Sequence, residues 1–403
     1  MSARTRPTPL ALLLSAALAL GGCGAGTDTA TKNAPLVASA SAPLGDAAAL
    51  GKLIFEDPAL SASGALSCAS CHDPARGHAS PFAAAVALGG PAQDQPGTRV
   101  PPSIRYLRYN TSFSIAADGT PSGGFTWDGR ASSLSDQARR PFLSANEMAN
   151  ASPGAVVARI AASVYAGEFR RVFGADIFND PEAAFDRVTF AVERYQLEDP
   201  DFAPFTSKFD YFVAGKVGLT PAEMRGYALF NRPDKGNCAA CHPSSKPDNA
   251  PGALFTDFTY DALGVPRNPD IPANADPTYF DQGLCGPART DLASQSTLCG
   301  AFKVPSLRNV GVRRRFFHNG RFGTLEEAVA FYVRRDTHAA EWYPLDGFGN
   351  PDAYNDLPAA LRGNVNTTEA PYNRLAGQPP ALDTAEIADL VAFLRTLTDG
   401  YTP

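Results

Sequence analysis

Histidine and methionine are scarce in this chain, at five and three of 403 residues, and only Met148 and Met224 are internal. Sites that need many imidazole or thioether ligands are thereby excluded. Basic residues do not predominate either: a formal net charge of −6 argues against a nucleic-acid partner and suits a basic protein partner. Convincing runs of alternating apolar and polar residues are missing, so little sheet is expected. Beyond residue 20 no apolar stretch reaches the length needed to cross a membrane. What remains, at 44% hydrophobic, is ample material for two cores.

Cysteine is where the sequence speaks. Cys68-Ala69-Ser70-Cys71-His72 and Cys238-Ala239-Ala240-Cys241-His242 are two copies of Cys-X-X-Cys-His, the attachment signature of c-type haem. The spacing lets two thiols add to the porphyrin vinyl groups while the adjacent His reaches the iron. A four-cysteine zinc site is the alternative, disfavoured by the His that follows each pair. Two covalently bound haem c groups are expected, with His72 the proximal ligand of haem 1 and His242 that of haem 2.

Arg4 and Arg6 precede the apolar stretch Leu10–Leu20, which ends in Gly21-Gly22-Cys23. The pattern resembles a bacterial lipoprotein signal over residues 1–22, with Cys23 acylated and residues 23–45 a flexible linker on the periplasmic side of the membrane. An ordinary secretory signal with an incidental Cys23 is the other reading. Cys285 and Cys299 are left over, and in an oxidising compartment they are expected to form a disulfide.

Helical patterns precede each motif, at Ala47–Phe55 and at Pro221–Phe230, the latter with Thr220 and Glu223 as a capping box. Another helix is expected over Thr324–Arg335, and a last one after Asp383, with Ile387, Leu390, Val391 and Leu394 on one face. Residues 243–300, rich in Pro, Asn, Asp and Gly, read as a long ordered loop. The expected fold is mainly α: two cytochrome c-like haem domains in one chain with long irregular loops. They are assigned to residues 46–215 and 216–403 as a duplicated helix–loop–CxxCH–helix unit.

Trp127-Asp128-Gly129-Arg130, followed by Gln137, Pro141 and Glu147-Met148, and then Phe302-Lys303-Val304-Pro305-Ser306-Leu307-Arg308-Asn309 with His318-Asn319-Gly320, resemble the bacterial di-haem cytochrome c peroxidase and MauG family from about residue 46 to 397. The resemblance implies a peroxide-reacting N-terminal haem and an electron-transferring C-terminal haem. It makes Glu147 the distal acid/base, Gln137 a pocket residue, Trp127 the relay between haems and His318 part of the haem environment. A proton must move from the inner to the outer oxygen as peroxide is cleaved, and a desolvated carboxylate can carry it.

Many family members place a further His about sixteen residues beyond the first motif. Here that neighbourhood is Leu88-Gly89-Gly90, and the nearby His78 suits a helix-end or propionate contact. Fourteen residues after His318, where the family places a distal Met or Tyr, stands Tyr332. An open N-terminal site and a Tyr332-ligated C-terminal haem, as in the MauG-like branch, are therefore expected.

Calcium, common between the haems of the family, is doubtful, because Val100 and the run Arg313-Arg314-Arg315 stand at its ligand positions; one Arg is expected to replace its charge or to pair with a propionate. His338 and Trp342 read as surface or packing residues. Gly236-Asn237 replaces the surface Trp by which MauG meets its protein substrate. The expected reaction is reduction of hydrogen peroxide with electrons from a cytochrome c, a cupredoxin or a specific protein substrate. A MauG-like oxidase of a partner protein and a di-haem carrier without turnover are the alternatives.

Overall fold

The computed structural model describes residues 43–403, which form one compact unit. The signal segment, Cys23 and nearly all of the linker lie outside the described residues. The α-helices are α1 (Asp46–Glu56), α2 (Cys68–Cys71), α3 (Leu134–Leu143), α4 (Pro153–Ala161), α5 (Ala166–Phe173), α6 (Pro181–Glu198), α7 (Lys208–Val213), α8 (Pro221–Asn231), α9 (Leu325–Arg334) and α10 (Thr384–Arg395). Among the described residues, strand structure is confined to isolated bridges and three two-residue antiparallel pairs, at Leu88–Gly89 with Gln95–Pro96, Ser114–Ile115 with Pro121–Ser122, and Tyr260–Asp261 with Phe302–Lys303. The regular structure is thus mainly helical, joined by long irregular segments. No helix among the described residues is long and apolar enough to cross a membrane.

Local chemistry sets the helix ends. Thr220 and Glu223 cap α8 reciprocally, Thr324 and Glu327 cap α9, and Asp383 and Glu386 cap α10. Two large apolar clusters result. One is built from residues between Leu50 and Phe202, the other from residues between Phe209 and Leu397.

The halves repeat each other in detail. Helix α1 packs on α6, and α8 on α10. Gly51 and Gly226 hold the same place in α1 and α8. A Cβ on Gly51 would stand 1.9 Å from the Ala191 carbonyl oxygen, and one on Gly226 2.0 Å from that of Asp389. Only glycine permits either approach. Ser103 and Ser306 each donate to a carbonyl near the haem motif, at Gly77 (2.6 Å) and Leu254 (2.7 Å). Buried Asp399 joins the halves, accepting from Tyr106 (2.8 Å) and Asn309 (2.6 Å).

One expectation fails. No α-helix directly follows either CxxCH motif: the next is α3 after the first and α9 after the second, beyond Pro- and Gly-rich loops that cannot sustain helical hydrogen bonding. Residues 243–300 do form the long ordered loop, which carries a Cys285–Cys299 disulfide. Replacing both cysteines by Ser is expected to lower stability by about 3 kcal/mol, the chain-entropy scale for a loop of about 15 residues. Urea unfolding of the double variant at an unchanged midpoint would contradict that.

Candidate active site

The first haem motif occupies α2 and its C-cap. Ser67 and Ser70 cap each other, fixing the turn that carries Cys68 and Cys71, and His72 ends it. The second motif lies on a 3-10 turn over Cys238–Ala240. None of the four cysteines is in a disulfide, which leaves each pair for thioether bonds to a haem.

Both histidines are oriented from behind. His72 Nδ1 lies 3.3 Å from the carbonyl of His78, and His242 Nδ1 lies 2.8 Å from that of Phe255. His78 and Phe255 share the same left-handed backbone, φ 52°. A donor Nδ1–H leaves Nε2 with its lone pair, the arrangement of a metal ligand. Burial lowers the affinity of both imidazoles for protons, His72 to about 4. These carbonyls were invisible to sequence reasoning, because any residue supplies one.

A second repeat frames the sites. Phe125 bridges Ala131 and Phe316 bridges Phe322, with Thr126 (φ 75°), Gly129 (64°), Phe317 (64°) and Gly320 (63°) all left-handed. Ser133 and Thr324 then cap α3 and α9. In this register Trp127 corresponds to His318 and Pro141 to Tyr332.

A largely apolar cavity, open to solvent at its mouth, is lined by Cys238, Cys241, His242, Tyr332 and His318 and extends to Trp127 and Pro102. Its lining fits a porphyrin. Tyr332 faces it from α9, and among the described residues its hydroxyl has no hydrogen-bond partner; burial, with Asp261 nearby, raises its pKa. Arg313 also lines the cavity. Its Nη2 donates to the Ser306 carbonyl (2.5 Å), its Nε is unpartnered, and burial alone lowers it to about 10. A desolvated guanidinium with no carboxylate beside it suits a haem propionate. Arg314 is exposed, and Arg315 donates to the carbonyls of Ala83 and Gly320.

His318 stacks on Phe302 at 3.5 Å, with Nε2 3.6 Å from Asp356. Trp127 donates from Nε1 to the Val100 carbonyl (2.8 Å), so that oxygen is already engaged. Beside it Arg99 spans Asp281 (2.6 and 2.7 Å) and Asp128 (2.7 Å), both buried. The positive charge held between these two carboxylates is that of Arg99, not of the 313–315 run.

Near the first motif, Glu147 is exposed to solvent although many protein atoms crowd its carboxyl. Burial raises its pKa, partly offset by Arg130, and its charge is felt at both Cys68 and Cys71. Residues 88–90 lie against it. Gly90 donates to the Glu147 carbonyl (2.9 Å), and a Cβ on Gly89 would stand 2.2 Å from the Asn146 carbonyl oxygen. Gln137, on α3, is half-buried.

His78 has its Nε2 2.7 Å from Asp201, in the 3-10 turn Pro200–Phe202, and its ring stacks on Phe202 at 4.1 Å. His338 contacts the Thr337 hydroxyl (2.8 Å), and Trp342 packs edge-on against Phe322 and Phe331.

The di-haem cytochrome c peroxidase profile matches residues 45–218. Methylamine utilization protein MauG of Paracoccus denitrificans is 36% identical over 90% of this chain and 91% of its own length. The cytochrome c551 peroxidase of Nitrosomonas europaea is 32% identical over 77% of this chain and 80% of its own. The crystal structure of the diheme peroxidase BthA from Burkholderia thailandensis superposes with a TM-score of 0.81 at 42% identity, covering 92% of this chain and 90% of that one. Likeness at this level, running through both cysteine motifs and both helical cores, leaves one assignment: the chain belongs to the family of di-haem cytochrome c peroxidases and MauG, oxidoreductases with two covalently bound haem c groups.

Proposed function

We propose that the chain reduces hydrogen peroxide in a domain of residues 46–215, drawing electrons through a second domain of residues 216–403. Cys68, Cys71 and His72 hold the first haem; Cys238, Cys241, His242 and Tyr332 hold the second, with Arg313 and His318 facing its propionates. Each haem supplies an iron whose oxidation state can rise and fall. The protein contributes position and protons. Glu147 accepts the proton of the entering peroxide and delivers it to the departing oxygen, while Gln137 lines the pocket. Trp127, between the second-haem cavity and the N-terminal half, carries electrons across. The donor is a small redox protein, a cytochrome c or a cupredoxin. The leader and Cys23 are the grounds for adding export to the periplasmic side and a lipid tether.

The observation that carries this reading is Glu147, a carboxyl beside the first motif with raised proton affinity. A pure electron carrier has no use for it. A second reading, oxidation of a partner protein, is favoured by the 36% identity to a MauG. Against it, Gly236 and Asn237, which line the second cavity, offer no aromatic side chain to such a partner.

Resting-state EPR with peroxide titration tests the proposal. One high-spin and one low-spin ferric haem are expected, both responding to peroxide without prior reduction. A requirement for prior reduction would refute the open N-terminal site.

A further inference from the structure

Beyond Tyr332, the second-haem cavity is backed by a group of tyrosines that neither haem attachment nor peroxide chemistry uses. The Tyr332 and Tyr372 rings are 6.1 Å apart, and both line the cavity. Fully buried Arg335 lies 4.4 Å from the Tyr372 ring and 5.2 Å from the Tyr354 ring, so it is sandwiched between them. Tyr343 meets Tyr354 edge-on at 5.7 Å.

Tyr354 is the half-buried member of this group, and three observations single it out. Its hydroxyl donates to Asp336 Oδ1 at 2.6 Å, so a proton acceptor is already in place. Its backbone is left-handed, φ 61°, an outlier for a bulky residue that the surrounding packing must enforce. Its ring lies directly behind Gly264, which lines the cavity: a Cβ on Gly264 would stand 2.4 Å from Tyr354 Cδ1. Only glycine lets the ring come so near the cavity wall. Arg335 is held in turn by Asp336 (3.0 Å) and by the carbonyls of Leu263 (2.8 Å) and Asn366 (2.6 Å), so the stack is rigid.

We infer that Tyr354, with Asp336 as its proton acceptor, is a redox-active tyrosine through which the C-terminal haem exchanges electrons with a small redox protein at the surface. The inference rests on the peroxidase reading above. One electron passes from Tyr354 to the oxidised haem, and the phenolic proton moves to Asp336, leaving a neutral tyrosyl radical. The reduced redox protein then gives one electron to the radical, and Asp336 returns the proton. The route provides this chain with an aromatic exit that Gly236-Asn237 does not.

The test uses the holoenzyme, treated with peroxide in the absence of donor and freeze-quenched for EPR, with a parallel sample spin-trapped and mapped by peptide mass spectrometry. A tyrosyl signal and an adduct on Tyr354 are expected. In Tyr354→Phe both should vanish while the optical response of the haems to peroxide and the unfolding midpoint persist. Asp336→Asn should slow radical formation by about 10²-fold, the lower end for loss of a positioned proton acceptor. An adduct mapped elsewhere in the wild type overturns the inference without need of any variant, as does an unchanged radical in Tyr354→Phe. Haem spectra that ignore peroxide altogether would instead overturn the peroxidase reading, and this inference with it.

Discussion

Glu147→Gln is expected to keep both haems and the fold while slowing peroxide activation by about 10²–10⁴-fold, the scale for losing a positioned acid/base. The substitution preserves shape and removes only the charge and the transferable proton. Burial raises the Glu147 pKa above its ordinary value of 4.5. The first proton transfer needs the ionised form, so the wild-type rate should fall on the acid side at a pH above the usual carboxylate range. That limb should be missing in the variant.

Stability should move the other way. A carboxyl with raised native pKa binds its proton more tightly folded than unfolded, so stability is lost as pH rises through that interval. At neutral pH the wild type carries this cost and the Gln variant does not, so the variant's melting temperature should match or exceed that of the wild type. Stopped-flow traces in which the variant reacts with peroxide at the wild-type rate would remove Glu147 from the mechanism.

The parts of this molecule that could be read from sequence are those where residue type dictates geometry. Thr220 with Glu223 and Asp383 with Glu386 announce α8 and α10, since a side-chain oxygen three residues from a carboxylate satisfies the orphan amides of a helix start. The thiols and histidines of both motifs were legible for the same reason. What escaped was geometry made by backbone or by distant partners. The carbonyls of His78 and Phe255 orient the two histidines through a left-handed backbone that neither residue type advertises. Arg99 finds Asp281 across 182 residues, a pairing no local pattern encodes. The repeated loop at Phe125–Ala131 and Phe316–Phe322 was within reach, because Gly129-Arg130 and Gly320-Arg321 recur in step. Trp127 opposite His318 disguised it. Helices after each CxxCH were wrongly expected because the duplication was read from the motifs alone, and the Pro- and Gly-rich segments that follow them form loops instead.

Tyr332→Phe should convert the second haem from six-coordinate low-spin to a species with an open sixth position. Tyr332→Met should raise its reduction potential by on the order of hundreds of mV, within the range of about 0.8 V that axial ligands span. Tyr332 sits on α9 with Leu325, Ala328 and Val329 buried beside it, which fixes the helix face. Its hydroxyl faces the cavity shared with His242, without a hydrogen-bond partner among the described residues. An apolar setting raises the pKa of the free phenol. Ligation would offset this, since the metal charge compensates the phenolate and the oxygen gains a partner. An anionic oxygen ligand favours the higher oxidation states of iron, so this haem should act as a store of oxidising equivalents rather than as an easily reduced donor. The Met variant should therefore need reduction before it turns over, whereas the wild type should not. Potentiometric titration followed by EPR reads both effects. If Tyr332→Phe leaves the spin state and spectrum of the second haem as they were, the ligand is another residue, and the MauG-like character of this chain then rests on its likeness to MauG and on Leu88-Gly89-Gly90, where no histidine stands.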